Sequence, residues 1–158
     1  MVEFVHGAAK PGRRGGPTLQ EVYDYAVDAL ERRGVPFVLH GALAMSSYGY
    51  ERATGDIDLL VPERSTTAIR AAMAEIGAVS RRKVPRGERH MQFNLSGWIL
   101  DFFRDADFEG LAERAERKRF AGRWILVISK GDLIQRKLAR GTALDVSDVK
   151  RLTGRERA

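Results

Sequence analysis

HGALAMSSYGYERATGDIDLLV, residues 40–61, sets two carboxylates, Asp56 and Asp58, one residue apart in an apolar run. Short apolar runs such as IDLLV read as buried strands, where an ionised carboxylate is costly. Side chains two apart on a strand share a face, about 6.5 Å from each other along the backbone. Asp56 and Asp58 therefore stand side by side, and burial increases the cost of their repulsion. A divalent cation relieves both penalties, and magnesium takes one or two carboxylates together with substrate phosphates. The alternative is an exposed strand end, since Gly55-Asp56 is also turn chemistry.

Upstream, Gly41-Ala42 falls between a short strand, Val35 to Leu39, and a short helix, Ala42 to Tyr48. Glycine admits a phosphate close to the backbone, and a helix start offers free N–H groups. Ser46 and Ser47 follow a turn later, to face the site or to pack. Arg52 is placed to contact a phosphate or to pin the loop, and Thr54 to bond the turn that presents Asp56. His40 reads as a packed or backbone-bonded histidine.

The second signal is WILDFF, residues 98–103, which puts Asp101 in the middle of an apolar strand on the face of Ile99 and Phe103. A lone carboxylate there is expensive. It either pairs with an arginine such as Arg89 or Arg104, or serves as a third ligand on a neighbouring strand. Three carboxylates on adjacent strands can hold two metal ions about 3.5–4 Å apart, which clamp the attacking and leaving oxygens of phosphoryl transfer. His90 begins the preceding strand, within reach of such a site.

The remaining pattern is mixed. Thr18 and Glu21 form a capping-box pair for a helix to Arg33, stopped by Gly34. Ile57 to Val61 is a strand, and Ser65 caps a helix to Ile76. Val79 to Val84 is a weak basic strand, followed by a loop at residues 85–89. MQFNL and WILDFF flank Ser96-Gly97, a two-residue hairpin signal. Phe108 to Lys118 reads as a charged helix and Trp124 to Ile128 as the last strand. Ser129 with Asp132 opens a helix to Arg140, ended by Gly141, and Leu144 to Leu152 forms a final helix. Trp98 and Trp124 read as core or sheet-face residues rather than stacking platforms. Arg81, Arg82, Lys83, Arg86 and Arg89 form the densest basic run, ahead of Arg117, Lys118 and Arg119. It suits a solvated edge strand or an RNA backbone.

The chain has 158 residues, no cysteine and a formal net charge of +6. That length suits one domain with its own core. Disulfides and thiolate metal sites are excluded, and the three histidines have no zinc spacing. No apolar run reaches the roughly 20 residues of a membrane helix, and residues 1–16 lack a signal peptide's apolar centre. The expectation is a cytoplasmic protein without membrane contact. An isoelectric point near 10 favours polyanionic partners.

LHGALAMSSYGYERATGDIDLLV resembles the signature of the nucleotidyltransferase (polymerase β-like) superfamily. More narrowly, it resembles small bacterial proteins related to abortive-infection type nucleotidyltransferase toxins. Gly41-Ala42, Gly49, Arg52, Thr54, Asp56 and Asp58 fill the places of the family pattern, and Asp101 matches the third carboxylate. GDLIQRKLARGTALDVSDVKRL is similar to the family's C-terminal helices, with Lys137 and Asp148 at recurring positions. Lys137 is thereby expected to meet the triphosphate, and Asp148 to pair with it or with an arginine. The resemblance spans about residues 18–153. One departure is Ala42, which offers no hydroxyl to a triphosphate.

The resemblance implies an α/β (α+β) fold, a twisted mixed sheet flanked by helices. A tail (1–17), a core (18–128) and a helical extension (129–158) are expected. It implies a transferase moving a nucleoside monophosphate from a triphosphate such as ATP to a hydroxyl. Asp56, Asp58 and Asp101 would hold two Mg2+ ions, or Mn2+. Gly41, Ala42, Ser46, Arg52, Thr54 and Lys137 would bind the nucleotide. The acceptor is expected to be RNA, a tRNA end, in a toxin–antitoxin setting. The rivals are nucleotidylation of a partner protein, transfer to a small molecule, and a degenerate domain that binds nucleotide, RNA or a partner without transfer.

Overall fold

The computed structural model describes residues 15–51, 53–81 and 89–154. Most of the expected N-terminal tail, Arg52, and Arg82, Lys83 and Arg86 of the basic run lie outside the described residues.

Helix α1 (Leu19–Arg32) starts where both bonds of the Thr18–Glu21 capping box form. It buries Val22, Tyr23, Ala26, Val27 and Leu30, one stripe of its surface. Strand β1 (Val38–His40) passes directly into α2 (Gly41–Ser47). Strand β2 (Asp56–Pro62) then leads through a 3-10 turn (Glu63–Ser65) into α3 (Thr66–Glu75). Ser65 makes no side-chain cap there, because that turn precedes the helix instead of a capping residue. The short β3 (Val79–Ser80) is followed by β4 (His90–Leu95) and β5 (Trp98–Asp105). They form the expected hairpin, with Ser96 at φ 52° and Gly97 at φ 91°, the two left-handed residues that a type I′ turn requires.

Helix α4 spans Phe108–Arg114, shorter than expected, because Ala115 turns extended. The last part of the expected helix is strand β6 (Glu116–Phe120), antiparallel to β7 (Arg123–Val127). Ala121 and Gly122, at φ 50° and 80°, make a second two-residue turn. Trp124 is 58 % exposed on the outer face of this hairpin, whereas Trp98 is 8 % exposed and its indole Nε1 donates to the carbonyl of Pro17 at 2.8 Å. Helices α5 (Lys130–Arg140) and α6 (Ala143–Leu152) close the chain, capped by Ser129 and Thr142.

The described strands form one mixed seven-stranded sheet in the order β3-β4-β5-β2-β1-β7-β6. β1 is antiparallel to β2 and parallel to β7, and β2 is parallel to β5. One face carries Leu39, Ile57, Leu59, Leu100, Phe102, Ile125 and Val127, all in the core with residues of α1 and α3. The opposite face presents Asp56 and Asp58, and α5 and α6 border it. No described helix is long and apolar enough to cross a membrane.

Candidate active site

Pairing places the carboxylates. β1 sets His40 opposite Asp58, and the parallel β2–β5 ladder sets Asp58 beside Asp101. Partners in register share a face, so Asp56, Asp58, Asp101 and His40 all project to one side. They line a cleft of about 760 Å3 with Gly41, Ala42, Thr54 and His90. Its far wall is Arg136, Lys137 and Arg140 of α5 with Asp145 of α6. The sheet carboxylates thus face a helix whose three cleft-lining cations are each paired, Arg136 with Asp105 at 3.0 Å, Lys137 with Asp148 and Arg140 with Asp145.

Asp58 and Asp101 stand side by side in register on the two parallel strands. Burial first, then the neighbouring charges of Asp101 and Asp56, push the Asp58 carboxyl well above the usual carboxylate range. Asp101 does not pair with Arg89 or Arg104. Arg104 donates to Thr66 Oγ1 at 2.9 Å, and Arg89 lies 3.7 Å from Glu63. Instead Asp101 Oδ1 meets His90 Nε2 at 2.6 Å and accepts from Gln92 Nε2 at 2.9 Å. His90 in turn stacks flat on Phe103, with ring centroids 4.6 Å apart. These contacts fix the third carboxylate.

Thr54 performs the turn role expected of it. Its hydroxyl accepts from Asp56 N at 3.1 Å and donates to Asp56 O at 3.2 Å, which sets the angle at which Asp56 enters β2. Ser46 does not reach the cleft. It is buried in α2 and donates to Ala42 O at 3.1 Å, while Ser47 donates to Ala44 O at 2.7 Å. Lys137 borders the cleft but is 5 % exposed, with its Nζ donating to Asp148 Oδ2 at 2.7 Å. The Lys137–Asp148 pairing thus joins α5 to α6. Arg140 forks onto both oxygens of Asp145, at 2.8 and 2.7 Å, and this holds Asp145 well below the carboxylate range. Burial, followed by Arg136, Lys137 and Arg140, lowers the His40 pKa to about 3. His40 is therefore a neutral imidazole in the cleft wall, edge-on to Phe103.

Gly41 is required twice over. Its φ is +66°, and a Cβ there would lie 1.9 Å from Asp58 Oδ2. The backbone passes so close to the carboxylate that nothing larger fits. Gly41→Ala is expected to cost about 1–2 kcal/mol from the left-handed conformation alone, and more from the contact with Asp58. Chemical denaturation reads the first effect, and displacement of Asp58 removes cleft function. A variant with wild-type stability and function would show that the close approach has no role.

Gln92, Arg136, Arg140 and Asp145 were not among the residues expected from sequence. Gln92 had a usable signal, because a two-residue turn at Ser96-Gly97 fixes it opposite Asp101. The basic wall had none, since its place depends on how α5 folds back over the sheet.

For a metal, the donor chemistry fits. Asp56, Asp58 and Asp101 are oxygen donors on one face of the sheet. Among the described residues no three acidic or histidine side chains are gathered tightly enough to form a finished cage as they stand. Completing one requires further oxygens from a substrate, which magnesium sites commonly take.

The chain shares its fold with solved nucleotidyltransferases. The chain is similar to the antibiotic-resistance factor ANT(2'')-Ia, with TM-score 0.66 and 16% identity, covering 84% of this chain and 80% of that one. It is similar to the lincosamide antibiotic adenylyltransferase LnuA, lincomycin-bound, with TM-score 0.65 and 19% identity over 87% and 98% of the two chains. A candidate nucleotidyltransferase from Thermotoga maritima gives TM-score 0.65 and 19% identity over 96% and 98%. At such identities the likeness is one of fold. No protein-family model and no curated protein matches the sequence.

Proposed function

We propose that this chain is a magnesium-dependent nucleotidyltransferase that moves a nucleoside monophosphate from a nucleoside triphosphate to an acceptor hydroxyl. The observation that carries this reading is the pairing of Asp58 with Asp101 across two parallel strands, with Asp56 beside them and the basic face of α5 opposite. Asp56, Asp58 and Asp101 would hold the metal, magnesium or manganese. Bound there, it would neutralise triphosphate charge and polarise the reacting phosphoryl group.

The chain's own residues do the rest. The start of α2 at Gly41-Ala42 offers backbone N–H groups to phosphate oxygens. Arg136 and Arg140 face the charge that develops on the leaving group. His90 and Gln92 hold Asp101, which takes the proton from the acceptor hydroxyl. The acceptor oxygen then bonds to the α-phosphorus, the bond from that phosphorus to the bridging oxygen breaks, and pyrophosphate leaves with the electron pair.

RNA, a tRNA end, is the acceptor this reading favours, in a cytoplasmic toxin–antitoxin setting. The net charge of +6 and the resemblance to toxin-related proteins support it. A second reading has an observation of its own. One solved neighbour holds lincomycin and another is ANT(2'')-Ia with adenylyl-2''-tobramycin, so a small hydroxylated acceptor also suits this fold.

The test uses each α-32P-labelled nucleoside triphosphate with Mg2+ and, separately, total RNA, lysate protein, lincomycin or tobramycin. The control is Asp56→Ala/Asp58→Ala. Label on RNA that the control loses is the expected result. Label on a protein band or an antibiotic names a different acceptor. No label anywhere, with triphosphate and Mg2+ still bound, overturns transfer in favour of a binding domain.

A further inference from the structure

The β6–β7 hairpin at the sheet edge carries a feature that the cleft does not use. Arg117 pairs with Leu126 and Arg119 with Trp124 across the hairpin. Directly opposed residues share a face, so Arg117, Arg119, Trp124 and Leu126 stand together. The other face is core, through Phe120, Ile125 and Val127. On the outer face Trp124 is 58 % exposed, with the Arg117 guanidinium 5.0 Å from its ring centroid. Among the described residues no carboxylate forms an ion pair with Arg117 or Arg119, whereas Arg123 is ringed by Asp24, Asp28 and Glu31. An exposed indole beside two uncompensated guanidinium groups is matched by a ligand with both flat rings and negative charge.

Register links this face to the cleft. Leu39 lies beside Val127, and both point into the core. Trp124 and Leu126 therefore project to the side of the sheet that carries His40, Asp58 and Asp101. Trp124 is two strand spacings and about four residues from Asp58, on the order of 16 Å by ordinary strand dimensions.

We propose that Trp124, with Arg117 and Arg119, is a docking platform for single-stranded RNA. One base stacks on the indole and neighbouring phosphates meet the two arginines. Bases of any identity offer a ring face, and arginine adds to the stack while holding the backbone. The platform fixes the acceptor strand at a set distance from the carboxylates. The inference deepens the RNA reading of the acceptor and rests on it.

The test is a titration of the full chain with an unstructured 12-nucleotide RNA, read by tryptophan fluorescence. The chain has two tryptophans, and Trp98 is buried, so a quench reports Trp124. Binding is expected to quench the emission, and Trp124→Ala to weaken affinity roughly 5- to 150-fold, the range one stacked base supplies. Trp124→Tyr keeps a ring and is expected to restore most of the affinity. Arg117→Ala/Arg119→Ala is expected to flatten the slope of log K against log salt by about 1.4, from two lost single-strand phosphate contacts.

Equal RNA affinity for wild type and Trp124→Ala overturns the platform. So does a Trp124→Ala change in sedimentation, which would assign the face to self-association. RNA that quenches Trp124 while no nucleotide is ever transferred defeats the transferase reading and leaves the platform standing. Transfer to a small molecule, with no quench by RNA, does the reverse.

Discussion

Asp58→Asn is expected to abolish nucleotidyl transfer while making the metal-free protein more stable at neutral and alkaline pH. The loss follows from the site. Several kcal/mol of charge stabilisation at the reacting phosphate corresponds to roughly three orders of magnitude in rate. The stability gain follows from the same residue. Burial and the charges of Asp101 and Asp56 raise the Asp58 pKa in the folded chain. The folded state then holds a proton that the unfolded state releases near pH 4. That contribution is complete below the unfolded value and is lost as pH rises through the raised folded one. In EDTA the wild-type Tm should therefore fall from about pH 4 to about pH 8, and Asp58→Asn should flatten the fall. Added Mg2+ should raise the wild-type Tm most at the alkaline end, where a cation replaces the departed proton. Thermal melts across pH, with and without Mg2+, measure all three. A Tm profile unchanged by the substitution would mean that Asp58 does not carry the strain assigned to it.

The second large effect is at Lys137. Its Nζ lies 2.7 Å from Asp148 and 3.9 Å from Asp145, with the lysine 5 % and Asp148 1 % exposed. Lys137→Met breaks the buried pair with Asp148, a change that typically costs about 3–5 kcal/mol. Replacing both partners by apolar groups is far milder. Lys137→Met/Asp148→Leu should therefore recover most of the stability lost in the single variant, as read by urea denaturation. The double variant also separates two roles for the lysine. If Lys137 only ties α5 to α6, transfer returns with stability. If it also meets the triphosphate, stability returns and transfer does not.

Much of this site was legible because it depends on local pattern. Two aspartates at i and i+2 in an apolar run have to share a face. A glycine between strand and helix marks a close approach, realised as the contact between Gly41 and Asp58. The Ser96-Gly97 turn fixes a register that sets Gln92 opposite Asp101. The edge hairpin was harder to read. Glu116 to Phe120 has a single aromatic and four charges, so neither an apolar alternation nor a helical stripe identifies it. Its strand character comes from pairing with β7, and Lys118 lies inward by placing its ammonium 4.1 Å from the Tyr48 ring centroid. The arginine pairing that stood as the alternative for Asp101 does not form, for a related reason. Arginines are numerous near it in sequence, but the strand faces divide them, and Arg104 turns towards Thr66 instead. The basic wall of the cleft depends on long-range packing, which periodicity does not encode.

The pairing of β1 with β7 also governs the order in which the molecule matures. Leu39 must wait for Val127, 88 residues later, before the centre of the sheet is complete. Contacts so distant in sequence form slowly and late. During synthesis the three carboxylates emerge well before Arg136 and Arg140, so a nascent chain on the ribosome carries the negative half of the cleft without the positive half. The strand that completes the sheet beside β1 is thus made only after both carboxylate strands, β2 and β5.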